Sequence, residues 1–347
     1  MLLTAASLAA QPCQKTFWCD LPYGSESQFN PLTAIANDGF DILQMEGRGN
    51  RLDSLFRIQD VNHLFSTIAH PIVAVDRAGW GNFLGTEVVP TSFNSSDAAW
   101  IPNYQLHLIG GGMVNARAEE WFLAHGVSSP FLPALMTSYT GYLLNETMEI
   151  RGVSSEYPTD PLADLYIFDA AGIAIFHIEA VRTFFQSTVQ LLNWPLQPSV
   201  GLIHGTLENP GEYFALKVPL PWESKWRLFY EVGLGNLGGL SRDLPGGNAI
   251  SFAAGAYASR INPVNQTTNK VEMAPKVGLF WDKNNSLMAS CFWNGQSDQR
   301  FSAQLYPGVL PTGPVPLGGW LSLTKDFEPT IGLTLVWGFG ASASLAS

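Results

Sequence analysis

His107, Glu146 and Asp164 are the residues of this sequence best suited to acid–base or metal chemistry. His107 lies in NYQLHLIGGGM, with Gly110 and Gly111 one helical turn further on. Glu146 shares a face with Ser138, Tyr142 and Glu149 at 3.6 residues per turn, and Asp164 shares one with Asp160 at the start of the next helix. One imidazole and four carboxylates on three neighbouring helices permit two chemistries. Such groups on facing helices ligate divalent metal ions. Alternatively, His107 acts as a general base, held by Glu146, on an ester or phosphate of an envelope lipid. The catalytic candidates are therefore His107, Glu146 and Asp164; the binding candidates are Glu149, Asp160, Arg117, Gly110 and Gly111. A divalent metal is the only cofactor these residues suggest.

A structural reading competes with both. Glu146 or Glu149 could pair with Arg117 or Arg151, and His107 could bond a backbone carbonyl. Asp160 could cap a helix whose first position is Pro161. No stronger catalytic signature is present: GxSxG, a P-loop and HExxH are all missing. GLGNLGG at 233–239 sits in an alternating strand and opens no helix.

The elements that must position these residues fall into two halves. Apolar periodicity predicts helices over about 30–46, 59–76, 101–125, 131–150 and 161–187. Three consecutive glycines, 110–112, weaken a helix by about 1 kcal/mol each, which is tolerable where another backbone or a ligand approaches closely. From about residue 196 the period becomes two. Phe214, Leu216, Val218 and Leu220 alternate with Tyr213, Ala215, Lys217 and Pro219, and the pattern returns in WRLFYEVGLGNL, KVGLFWD and TIGLTLVWGF. Turn signals such as LENPGE, RDLPGGN and DKNN separate these runs. Roughly nine strands are expected between 199 and 339, with TFWCDL as a partner that makes the number even.

Composition points to where such a sheet would sit. The 347 residues include 33 Gly, 11 Trp, 10 Tyr and 21 Phe, and only 14% are charged, against roughly 25% in an average soluble protein. Apolar outward faces on a membrane β-barrel would produce this balance. The formal charge of −11 excludes a basic nucleic-acid footprint. No run of about 18 or more uninterrupted apolar residues suggests a spanning helix. MLLTAASLAAQPC resembles the back half of a secretory signal, and Cys13 and Cys19 could form a local disulfide in an oxidising compartment.

The order His107 with Gly110 to Gly112, NARAEEWFLAHG with Arg117 and Gly126, Glu146 and Glu149, then DPLADLYIFDAAG with Asp164 and Gly172 resembles the VanZ-like helical motif. It is also similar to an uncharacterised family of bacterial outer-membrane proteins in which a helical segment precedes a β-barrel. No Pro follows His107, and DPLA stands where that family has Ser or Asn before Asp–Leu. The resemblance covers about residues 100–180.

The expected architecture is α+β. A possible residual signal or tail (1–20) and a helical segment (21–195) precede an antiparallel outer-membrane β-barrel of about ten strands, range 8–12, over 196–340, with a tail at 341–347. The helices are expected to plug or cap the barrel. The expected function is an envelope binding, structural or assembly component. A lipid-modifying enzyme built on the His/Glu/Asp cluster and a plugged channel or transporter are the alternatives. Expected partners are outer-membrane lipid and other envelope proteins, with no nucleic acid. The expected location is the bacterial outer membrane, with the periplasm or secretion as alternative.

Overall fold

The computed structural model describes residues 16–47, 49–90, 100–151, 158–263, 269–295, 297–310 and 315–344. Helix α1 (Pro31–Gly39) starts at Asn30, whose side chain accepts from the Leu32 and Thr33 N–H groups while the Thr33 hydroxyl accepts from Asn30. This reciprocal cap, with Pro31 at the first position, fixes the entry angle. Helices α2 (Ile58–Ala69) and α3 (Pro71–Ala78) are separated at His70 because Pro71 cannot continue a helix. A short α4 (Trp80–Phe83) runs into a π-helical turn, Leu84–Val88. A π-helical stretch, Trp100–Gly111, continues as α5 (Gly112–Ala124), and α6 (Phe131–Glu149) follows.

The helix expected over 161–187 is broken. It divides into α7 (Asp160–Ala163), a π-helical turn Asp164–Phe168, α8 (Asp169–Phe176) and α9 (Glu179–Thr183). Ile178 is extended, and the chain bends by 83° there. Among the described residues no single helix is long and apolar enough to cross a membrane.

The second half is one sheet of 13 strands, in the order β1-β4-β5-β6-β7-β8-β9-β10-β11-β12-β13-β2-β3. The strands are β1 (Leu191–Asn193), β2 (Ser199–Gly201), β3 (Thr206–Glu208), β4 (Phe214–Leu220), β5 (Glu223–Val232), β6 (Gly235–Asp243), β7 (Asn248–Pro263), β8 (Asn269–Lys283), β9 (Ser286–Asn294), β10 (Gln299–Leu305), β11 (Leu317–Thr324), β12 (Pro329–Leu335) and β13 (Gly340–Ser344). All pairs are antiparallel except β13 with β2. The count exceeds the expected 8–12 for two reasons. Strands β1 to β3 have three residues each, too few to show a period of two, and β13 occupies the expected tail. TFWCDL forms no strand: the Phe17 and Trp18 N–H groups donate to the Glu120 carboxylate at 2.6 and 2.8 Å instead of to a neighbouring strand.

The two faces of the sheet differ sharply. One carries Lys217, Glu231, Ser241, Ser251, Lys276, Asp282, Gln304 and Thr334, all buried. The other presents Leu228, Leu240, Phe252, Leu279, Trp293, Ile331 and Leu333, all exposed. The enclosed side is filled by side chains. Trp194, Phe229, Phe280, Phe292 and Tyr306 form its aromatic layer, Lys217 pairs with Asp282 at 2.5 Å, and Gln197 bonds Gln28, Gln304 and the Gly319 carbonyl.

At β4 and β5 the helical segment packs on the outer side of the sheet. Met113, Val114 and Ala116 of α5 pack against Phe214, Leu216, Tyr230 and Val232, which alternate with the inward-facing Ala215, Lys217, Phe229 and Glu231. The helical segment thus lies beside β4 and β5, while its N-terminal part meets the enclosed face, where Gln28 donates to Thr334 and Ser25 accepts from the Leu287 N–H. It also covers both free edges of the sheet, which would otherwise expose unpaired backbone groups. Arg51 bridges to Thr206 and the Leu207 N–H donates to the Asn50 carbonyl at β3, while Arg117 reaches Asn193 at β1. Cys19 is disulfide-bonded and Cys291 is a free thiol; Cys13 lies outside the described residues.

Candidate functional site

Three local devices bring His107, Glu146 and Asp164 together. First, the glycines let elements approach backbone to backbone. A Cβ on Gly112 would lie 2.5 Å from the Gly172 carbonyl oxygen of α8, and one on Gly110 would lie 2.5 Å from the Phe214 ring. One on Gly111 would lie 2.7 Å from the Tyr142 hydroxyl and 3.2 Å from Asp169 Oδ1. Each of the three glycines thus faces a different neighbour: sheet, site and helix.

Second, His107 and Asp164 both sit in π-helical segments, a geometry frequent at functional sites. The Tyr139 hydroxyl donates to the Leu165 carbonyl at 3.1 Å and so braces the second of these turns against α6. Third, Asn103 and Tyr104 donate to the Glu87 and Val88 carbonyls, locking the first π-helical stretch to the turn after α4.

The resulting centre is buried. One ligating atom from each of His107, Glu146 and Asp164 lies within 4.8 Å of the others. His107 Nδ1 is 3.1 Å from Asp169 Oδ1. An ionised carboxylate can only accept, so Nδ1 donates and Nε2 faces the other side of the ring. There it is 3.8 Å from Asp164 Oδ2, beyond hydrogen-bond reach. Glu146 is 0% exposed, and no described residue donates to either of its carboxylate oxygens. Asp164 Oδ1 and Asp169 Oδ2 are likewise without a hydrogen-bond partner.

The surrounding charge is lopsided. Burial raises the pKa of Glu146, and Asp164 and Glu149 push it further. Burial also raises Asp164 and Asp169, with His107 opposing. Burial alone would favour neutral His107, but Asp164 and Asp169 outweigh it and hold the ring well above its ordinary value. Around this core, burial lifts Asp41 to about 7. Burial and then Asp160 lift Glu87 to about 8.

Arg117 is engaged elsewhere, with Glu26 at 2.7 Å and with Asn193. Arg151 pairs with Asp60 at 3.4 Å and bonds the Ser54 and Leu55 carbonyls. Among the described interactions neither arginine pairs with Glu146. Asp160 does not cap its helix either. Thr159 holds the cap position without a side-chain bond, and the Asp160 carboxyl meets Glu87. His107 bonds a carboxylate, not a backbone carbonyl.

Beside His107 lies a cavity of about 30 Å³, lined among others by Asp38, Asp41, Tyr142, Asn145, Glu149 and Glu212. At roughly 10–15 Å³ per water it holds two or three waters and no substrate-sized group. Of the sequence candidates, His107, Glu146 and Asp164 converge, with Gly111 against the Tyr142 and Asp169 side chains. Glu149 borders the cavity. Gly110 faces the sheet, Asp160 belongs to the Glu87 pair, and Arg117 ties the helices to β1.

Spacing analysis did not assign Asp169, Asp38, Asp41, Glu87 or Glu212 to the site. The isolated carboxylates in the otherwise apolar YIFDAAG and ANDGFDIL were the signal that could have marked the first three. Comparison with family models, curated proteins and solved structures finds no match to the chain.

Proposed function

We propose that the chain is an outer-membrane β-barrel protein whose helical segment serves as a binding component of the cell envelope, with the buried His107 centre as its binding site. The observation that carries the membrane reading is the arrangement of the sheet, polar side chains enclosed and Leu, Ile, Phe and Trp exposed on the alternate positions. A soluble sheet has the opposite arrangement, and a lipid-facing strand alternates in this way. Strands β5, β6 and β9 have 10, 9 and 9 residues, near the roughly 9–11 that a tilted spanning strand needs. Asn50 and Arg51 at β3 and Arg117 at β1 would satisfy part of what the strand ladder leaves unpaired.

Binding is favoured over the lipid-enzyme reading because the cavity beside His107 admits only water. The channel reading gains little support, since the aromatic layer of Trp194, Phe229, Phe280 and Phe292 occupies the enclosed side. The test is fractionation of the full-length protein with heat-modifiable migration on gels. A barrel stays with the outer membrane after carbonate washing and runs faster before boiling. Release as a monodisperse protein without detergent would sink the membrane reading.

A further inference from the structure

We propose that His107 Nε2, Glu146 and Asp164 bind one divalent transition-metal ion of the zinc or manganese class, with Asp169 as the residue that orients the imidazole. This rests on reading the His107 centre as a binding site, and it stands whether or not the sheet crosses a membrane.

The donors define the ligand. Among the described residues, both oxygens of fully buried Glu146 lack a donor, and so does Asp164 Oδ1. Buried carboxylates without hydrogen bonds or a paired cation are costly, and a metal ion satisfies several at once. Arg117 and Arg151, the arginines nearest in sequence, are held by Glu26 and Asp60. The Nδ1–Asp169 contact at 3.1 Å is the arrangement by which metal-binding histidines fix their tautomer and raise their basicity. It leaves Nε2 as the ligating atom on the side of Asp164. A nitrogen with two carboxylates selects an ion of intermediate hardness. All-oxygen sites suit magnesium or calcium, and thiolate sites suit copper(I).

The distances suit capture with small adjustments. The three ligating atoms lie within 4.8 Å of one another, whereas a tetrahedral ion with bonds of about 2.0–2.2 Å holds its ligands about 3.3 Å apart. Rotation of the long Glu146 side chain supplies most of that closure, and the two π-helical segments keep His107 and Asp164 in place.

The experiment uses untagged, full-length protein in detergent, stripped with chelator and titrated in turn with Zn²⁺, Co²⁺, Mn²⁺ and Ca²⁺. The readouts are metal content by mass spectrometry and the visible spectrum of the Co²⁺ form. One ion per chain is expected, with Co²⁺ bands typical of a low-coordinate nitrogen and oxygen site. Glu146→Gln and Asp164→Asn should each weaken binding at least tenfold, and Asp169→Asn by about 10–100-fold with the stoichiometry kept at higher metal concentration. The wild-type Co²⁺ spectrum tests the site even where a variant fails to fold. Stoichiometric binding that survives the Glu146→Gln, Asp164→Asn double variant would overturn the assignment. Binding of Ca²⁺ but not Zn²⁺, Co²⁺ or Mn²⁺ would overturn the ion class and leave the binding centre standing. No cation bound at all would remove both.

Discussion

Asp169 shows how much a single carboxylate decides at this centre. By accepting from His107 Nδ1 it sets which nitrogen faces Asp164 and Glu146. Asp169 lies five positions after Asp164, and at 100° per residue an α-helix would put them about 140° apart. The intervening turn is π-helical, with its bonds spanning five residues, and both carboxylates reach the same imidazole. Spacing at 3.6 therefore could find Asp164 and not its neighbour. The glycines make a second argument at this scale. Gly112 meets the Gly172 carbonyl, and in turn a Cβ on Gly172 would lie 2.4 Å from the Leu108 carbonyl. Backbone oxygens cannot move aside as a side-chain tip can. Gly112→Ala should cost about 1–3 kcal/mol by overpacking, read as a lowered thermal midpoint. Gly85→Ala, where nothing lies within 4 Å of the added Cβ, should be close to neutral. Equal effects at the two positions would show that helix propensity, not close approach, explains the glycine run.

At the scale of elements, one buried polar chain joins the two halves. Glu26 in the N-terminal segment pairs with Arg117 of α5 at 2.7 Å, Arg117 bonds Asn193 of β1, and Asn193 donates to Glu212 just before β4. The Arg117 side chain is fully buried and its guanidinium lies 4.1 Å from the Phe29 ring. Arg117→Met keeps the volume but removes the cation paired with the Glu26 carboxylate and the donor to the Asn193 side-chain oxygen, a loss of the order of 3–5 kcal/mol for a broken buried pair. Glu26→Gln should cost less, because the amide still accepts from Arg117. Both are measurable by denaturant unfolding, and a harmless Arg117→Met would show that apolar packing alone holds α5 to the sheet.

The strand half was legible in the sequence because Leu216, Val218 and Leu228 alternate with polar or small residues over whole runs. The short strands β1 to β3 were not, since three residues carry no period. The break at Ile178 was hidden as well. AGIAIFHIEAV is apolar enough to read as one helix, and only its packing shows the turn.

For the whole molecule, two bulk properties follow from where charge and apolar surface lie. Buried carboxyls on the helical segment bind protons more tightly folded than unfolded: Asp41 moves from 3.8 to about 7 and Glu87 from 4.5 to about 8. In those windows the native state holds more protons, so stability falls as pH rises. His107 has the same sign, since a raised imidazole stabilises below its ordinary 6.5 and loses that contribution as pH rises through its folded value. Metal-free protein should therefore melt at progressively lower temperature from about pH 4 to 8, and a rising profile over that range would contradict the burial of these groups. The second property concerns the outer face. Leu333 is 59% exposed at the centre of β12, and a surface leucine in water can usually be exchanged within about ±0.5 kcal/mol. Facing lipid, Leu333→Arg would put a charge into hydrocarbon at about 2–4 kcal/mol near the midplane. Thr334→Val, at the neighbouring enclosed position, removes the hydroxyl that bonds Gln28 and Gln197 and should destabilise the protein in either setting. Refolding from urea into lipid vesicles separates the two. A costly Leu333→Arg beside a costly Thr334→Val places β12 against lipid, whereas a neutral Leu333→Arg means that its apolar face meets water or another protein.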